Sequence, residues 1–371
     1  MQESDVQALT ALVLGSAFGL SVLFGAIAQR THFCTMGAVA DVVNMGDWTR
    51  LRMWVLAIAV AVLGFNGMVG AGWIAARDSL YAGPQLPWLS ALVGGLLFGF
   101  GMVLASGCGS KSLVRLGAGN LKSGVVLLVL AVSGMATLKG ITAVLRVHTV
   151  DAAVLPLPSG QDLPSLLAAG LGLPVPQMAL LLGALVAGVL LAWVLRRPEG
   201  RSAEVWLGGA GIGAVVVGLW WVSGRLGFVA EHPVTLEPSF LATNSRRMEA
   251  LSMAAPVAYA LDWLLFFSDS AKVLTIGIVS VVGVVAGSAA VALATGSFRW
   301  EGFGGVGDLA HHLAGGVLMG VGGVTALGCS IGQGLSGVST LALGSLLALA
   351  AIAAGSVLAL RYQAWLLDRE G

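Results

Sequence analysis

Long apolar runs separated by short polar breaks dominate the chain, and most are near the ~20 residues that a helix needs to cross a bilayer. The first runs from about Ala8 to Ala28. It gives way to Gln29-Arg30-Thr31-His32-Phe33-Cys34-Thr35, which is too polar to face hydrocarbon. A short stretch of mostly small residues then ends at Val43, before Asn44-Met45-Gly46-Asp47. It is too short to cross, so the pattern predicts a re-entrant half-helix. Irregular backbone at that depth requires surrounding protein or a wet cavity. Further spans are predicted near Leu51–Ala75, Leu89–Ser106, Val125–Leu145 (with Lys139 inside it), Gln177–Leu195, Val205–Val222, Lys272–Thr295, Leu309–Leu327 and Leu341–Leu360. The apolar stretch Met248–Phe267 carries Asp262 and reads equally as a crossing or a re-entrant segment. The expected total is about nine or ten crossings.

One stretch occurs twice. Gly94–Cys108, GGLLFGFGMVLASGC, aligns without gaps to Gly315–Cys329, GGVLMGVGGVTALGC. Each copy reads as a glycine-rich helix that breaks at a Gly-Cys pair and is followed by a short run of small and polar residues. Paired helix breaks in two halves are the pattern of inverted-repeat transporters, whose sites lie near the membrane midplane. The Pro- and Gly-bearing connector from Val147 to Pro176 marks the boundary between halves. The expected division is 1–146 as the first repeat half, 147–202 as a connector with one transmembrane helix, and 203–371 as the second half.

Composition sharpens this picture. Of 371 residues, 57% are hydrophobic and only 10% charged, with a mean hydropathy of +0.92. Soluble domains carry roughly 25% charged residues, so the class is all-α and polytopic. The 54 glycines are dispersed, as close helix packing in lipid requires. A net charge of +1 gives no case for nucleic acid. The segment MQESDVQ has no basic n-region or cleavage site, which predicts a retained first span. The run Arg196-Arg197-Pro198-Glu199-Gly200-Arg201 is cytoplasmic by the positive-inside rule. No phosphate loop, dinucleotide fingerprint or HExxH is present, so transport driven by the chain's own ATP hydrolysis is not expected.

The candidate chemistry centres on three cysteines, an odd number with no disulfide spacing. Cys108 and Cys329 stand where one helix ends and a short one starts. Exposed N–H groups at a helix start attract anions, and a thiol is a weak donor and a soft partner for sulfur. A lone membrane cysteine is usually just a small hydrophobe; recurrence in a copied motif, between Gly107 and Gly109 or Gly328 and Ser330, argues for a site. Cys34 follows Gln29, Arg30 and His32, and arginine in lipid is costly. Lys111 and Gln333, the latter with two amide donors, extend the two cradles; Lys111 reads equally as a positive-inside loop residue. Laying Gly224–Val229 on Gln29–Cys34 puts Val229 in the Cys34 slot. Adjacent His311 and His312 point apart on a helix and lack ligand-spaced partners, so neither metal nor cofactor is expected. Asp41, Asp262 and Asp308 are candidates for proton coupling and equally for capping.

Three pieces resemble the YeeE/YedE family of sulfur transport proteins: Gln29–Cys34, Ser106-Gly107-Cys108-Gly109, and Gly328–Gly337 (GCSIGQGLSG). The resemblance implies a helical hourglass with inward-pointing short helices, uptake of thiosulfate or a related sulfur anion across the bacterial inner membrane, and pathway cysteines at Cys34, Cys108 and Cys329. It also implies a small cytoplasmic sulfur-carrier partner of the TusA type. The residue-level reading is a non-covalent relay in which the Cys108 and Cys329 breaks meet at a constriction and Cys34, with Arg30 nearby, is the next station. Two rivals are a membrane-embedded thiol enzyme, carrying persulfide or disulfide, and a general small-anion channel. The lack of a C-x-x-C pair or a nearby base counts against the enzyme.

Overall fold

The computed structural model describes residues 3–370. The first half contains α1 (Glu3–Thr31), α2 (Thr35–Met45), α3 (Thr49–Gly70), α4 (Trp88–Leu104), α5 (Gly109–Gly117) and α6 (Leu121–Lys139). The connector contributes the short helices α7 (Ile141–His148) and α8 (Leu163–Leu171) and the full-length α9 (Val175–Leu195). The second half contains α10 (Ala203–Trp221), α11 (Ala254–Leu265), α12 (Ile276–Ala294), α13 (Val306–Thr325) and α14 (Leu343–Glu370). A π-helical turn at Gly332–Gly337 precedes α14. Strand structure among the described residues is confined to two-residue pairings.

Eight helices, some continued by a half-helix, are long and apolar enough to span a membrane. The chain is a multi-pass helical membrane protein. The twenty-residue α13 is less apolar because Asp308, His311 and His312 open it, but it packs against α4 and α6. With it the count among the described residues is nine. Met248–Phe267 resolves as the twelve-residue α11, too short to cross. The predicted Val125–Leu145 span ends earlier, at Lys139, because Gly140 breaks the helix and α7 starts anew with no buried side chain. Lys139 is therefore in the last turn rather than mid-span.

The two copied helices, α4 and α13, cross each other through their glycines. A Cβ added at Gly322 would lie 2.6 Å from the Gly94 oxygen, and one at Gly101 would lie 2.8 Å from the Gly315 oxygen. In the repeat alignment Gly94 matches Gly315 and Gly101 matches Gly322. Each contact is thus exchanged for the other by a twofold operation, and the helices run antiparallel. The repeat is inverted. The surrounding pairs obey the same operation: α4 packs on α14 as α13 packs on α6, and α1 packs on α12 as α10 packs on α3. Small residues let backbones approach where lipid supplies no hydrophobic drive.

Candidate functional site

Three helices end by the same device, and each end delivers a cysteine. His32, Ser106 and Leu327 have left-handed φ values of 51°, 56° and 57°. The next residue donates its N–H five positions back: Phe33 to Ala28 at 3.2 Å, Gly107 to Met102 at 2.8 Å and Gly328 to Gly323 at 2.8 Å. This is a Schellman termination, made here without glycine at the left-handed position. The residue after it is Cys34, Cys108 or Cys329. Cys34 and Cys108 then start the following half-helix, and Cys329 stands just before the π-helical turn Gly332–Gly337. Cys34 is the N-cap of α2 and its sulfur accepts the Gly37 N–H at 3.3 Å. Cys108 is the N-cap of α5 and lies 3.2 Å from the Ser110 hydroxyl. Cys329 accepts the Gly332 N–H at 3.4 Å. Each thiol therefore sits at the positive end of a helical turn.

The three sulfurs are buried. Cys108 and Cys329 are 0% exposed and Cys34 is 6% exposed. All three are free. Cys108 is within electrostatic range of both Cys34 and Cys329. Gly107, Gly109, Gly328 and Ser330 are buried beside them. Gly107 and Gly328 are needed for close approach: added Cβ atoms would come to 3.1 Å from Lys111 Cγ and 3.0 Å from Gln333 N.

Several polar groups around the thiols are buried without a partner. The Ser330 hydroxyl, beside Cys329, and the Thr35 hydroxyl, beside Cys34, are buried without a partner. So is the indole N–H of Trp54, whose ring stacks on Phe33 at 6.0 Å and touches the Gly334 position. Lys111 lies in the first turn of α5, not in a loop, and within electrostatic range of Cys34 and Cys108. Gln333 offers less than the two expected donors, because its amide nitrogen donates to the Ala326 carbonyl while its Oε1 has no partner. It also lines a cavity of about 450 Å³ that includes Arg146, Arg247 and Gln161.

Arg30 is exposed at the end of α1. The cation that faces the first turn of α2 is Arg50, which also pairs with Asp41 at 3.3 Å. Val229 packs with Val6 and Leu241 in a separate cluster. Met253, the N-cap of α11, is fully buried, and its N–H donates to the Cys329 sulfur at 3.3 Å. Its side chain also contacts Gly109, 3.6 Å from a Cβ built there. His311 and His312 are engaged with Gly307 O and Asp308 along their own helix.

A family profile described as sulphur transport matches residues 30–358. The chain belongs to the sulphur transport family. Within that family it is similar to the thiosulfate transporter TsuA of Escherichia coli, 29% identical over 322 residues covering 84% of each chain. It is similar also to the thiosulfate transporter TsuA of Spirochaeta thermophila, 27% identical over 344 residues covering 88% of this chain and 92% of the relative. A third relative, the probable transporter YedE of Salmonella typhimurium, is 36% identical over 95 residues, 26% of this chain and 22% of its own. The sulphur transport family places the chain among transporters and not among enzymes.

Proposed function

We propose that this chain is a permease for thiosulfate or a closely related sulfur anion, passing it along Cys329, Cys108 and Cys34 without covalent chemistry. The observation that carries the reading is the set of three buried thiols delivered by matching helix breaks, two of them beside hydroxyls that have no partner. Desolvating a dianion costs many kcal/mol, so several donors must replace water together. Backbone N–H groups at the half-helix starts, the Ser330 and Thr35 hydroxyls, the Trp54 N–H and the weak thiol donors are the available set. Lys111 and Arg50 add positive charge toward Cys34. Weak successive stations let an anion leave as readily as it enters.

The positive-inside rule supplies the direction. Arg50, Arg52, Arg196, Arg197 and Arg201 gather at one face, which we take as cytoplasmic; the Arg146 and Arg247 cavity opens at the other. The anion would be collected in that cavity, reach Cys329 past Gln333, and leave by Cys34. Residues 1–146 and 203–371 would act as the two halves of the path, with 147–202 as their connector. The chain would sit in the bacterial inner membrane, with a cytoplasmic TusA-type carrier receiving sulfur at the Cys34 face. A thiol enzyme is disfavoured because no carboxylate or imidazole hydrogen-bonds any of the three sulfurs among the described residues. The test is uptake of radiolabelled thiosulfate into proteoliposomes containing the purified chain. Saturable uptake competed by unlabelled thiosulfate and poorly by sulfate is expected; equal competition by sulfate would instead support a general anion channel.

A further inference from the structure

Carboxylates in the membrane region are mostly paired. Asp41 meets Arg50 at 3.3 Å, Asp262 meets Lys272, and Asp308 meets Lys122 at 3.0 Å and His312 at 2.9 Å. These three acids are thereby neutralised. Glu249 is different. It lies in the loop between α10 and α11, and no cation pairs with it among the described residues. Its Oε1 accepts the Ser245 N–H at 2.7 Å, and its own N–H donates to Ser223 at 2.8 Å, so the backbone is held. Its side chain faces an internal cavity of about 130 Å³.

The other ionisable groups at that cavity are two phenols, Tyr81 from the α3–α4 loop and Tyr259 from α11. The elements α6, α12 and α13 present only Leu138, Gly277, Val324 and similar uncharged residues. Tyr81 connects this carboxyl to the substrate path. It is within electrostatic range of both Glu249 and Cys329, and its hydroxyl is hydrogen-bonded to Ser252. The Tyr81 and Ser252 hydroxyls lie 3.3 and 2.6 Å from where a Cβ on Gly332 would stand, and the Gly332 N–H donates to the Cys329 sulfur. Tyr81 also lines the Arg146 and Arg247 cavity, together with Leu80 and Leu327, so the two cavities share a wall.

We propose that Glu249 is a proton-binding site whose occupancy is coupled to anion occupancy at Cys329, making the chain a proton-linked anion transporter. This inference rests on the transport reading above. An ionised Glu249 places a fixed negative charge across Tyr81 from the station that must hold a dianion, in a region where charges are poorly screened. A proton on the carboxyl removes that repulsion. By linkage the effect is reciprocal: an arriving anion raises the affinity of Glu249 for a proton. Burial also pushes this carboxyl above the ordinary glutamate range, in the direction that proton uptake requires. Access through the wall shared with the outward cavity lets proton and anion arrive from the same face.

The experiment uses the full chain in proteoliposomes, with labelled thiosulfate and the membrane potential clamped at zero. An outside pH one unit more acid should drive accumulation up to about tenfold for each proton coupled. In Glu249→Gln, downhill uptake should persist while the accumulation ratio falls to one. Thiosulfate added outside should acidify the lumen of wild-type vesicles, read with a trapped pH dye. That measurement needs no variant, so it decides the matter even if Glu249→Gln fails to assemble. Downhill uptake without acidification, accumulation driven by a sodium gradient alone, or a Glu249→Gln variant that accumulates like wild type would each overturn the inference while leaving the transport reading intact. Absence of any downhill uptake would overturn both.

Discussion

The crossing of α4 and α13 fixes the distance between the two cysteine-bearing breaks, and Gly322→Ala tests it. The new methyl would lie 2.5 Å from Phe98 N and 2.6 Å from Gly94 O. Both are helix backbone atoms, so no side chain can swing aside. Restoring an ordinary carbon contact requires the helices to part by roughly 1 Å. Overpacking of this kind costs about 1–3 kcal/mol. The twofold-related change, Gly101→Ala, meets Gly315 O at 2.8 Å and Met319 N at 2.9 Å, so its cost should fall lower in the same range. Because both methyls wedge one interface, the first separation relieves part of the second clash. The double variant should therefore be less destabilised than the sum of the singles by at least about 0.5 kcal/mol. Thermal or denaturant unfolding in a mild detergent gives the cycle. Full additivity, or two singles as stable as wild type, would refute the claim that this glycine crossing sets the spacing.

Four further outcomes are expected. Trp54→Phe removes a buried N–H that has no protein partner, so stability should hold or rise; hydrogen bonds to charged groups are worth about 1.5–3 kcal/mol, so the KM for thiosulfate should rise about tenfold or more. A variant with weakened folding and unchanged KM would contradict that role. Lys111→Met should slow uptake at least about tenfold, since it removes a fixed charge from a desolvated path; Lys111→Arg should recover part of it, and equal loss in both would point to packing alone. Asp162 caps α8 with one oxygen while the other lacks a partner, and burial raises its pKa above the ordinary carboxylate value. A folded pKa above the unfolded one means that stability is lost as pH rises through that interval. Asn caps as well as Asp, so Asp162→Asn should be more stable than wild type near pH 7, with the difference shrinking toward pH 4; the opposite pH trend would refute the assignment. Arg50→Gln should impair uptake more than Arg30→Gln, because Arg50 faces the turn that Cys34 caps while Arg30 is exposed; equal losses in uptake assays would contradict that geometry.

Much of this architecture was legible in the sequence because lipid imposes a simple rule: long apolar runs become helices, and polar interruptions must be buried in protein. The Gly94–Cys108 and Gly315–Cys329 copies gave the paired helix breaks directly, since the same residues end both helices in the same way. What stayed hidden depends on tertiary packing. The contact of Met253 with the Cys329 site cannot be read from letters, because the two residues are far apart in the chain; it appears only in the N–H to Cys329. Arg30 looked closer to Cys34 than Arg50 by chain distance, yet a residue four before the N-cap points away, while Arg50 folds back from the next helix. Glu249 sat in a polar loop that carried no pattern, and its isolation from cations appears only once the loop packs inward. The Lys139 break was missed because Gly140 is one residue within an otherwise continuous apolar run.

The most direct measurement is growth of a sulfur-auxotrophic bacterium on thiosulfate as the sole sulfur source, supported by the intact chain or by Cys34→Ser, Cys108→Ser or Cys329→Ser at matched membrane levels. A relay of soft stations predicts growth with the intact chain and severe loss with serine at Cys108 or Cys329, the two fully buried sulfurs, and at Cys34. Growth of all three variants at the wild-type rate would contradict the account.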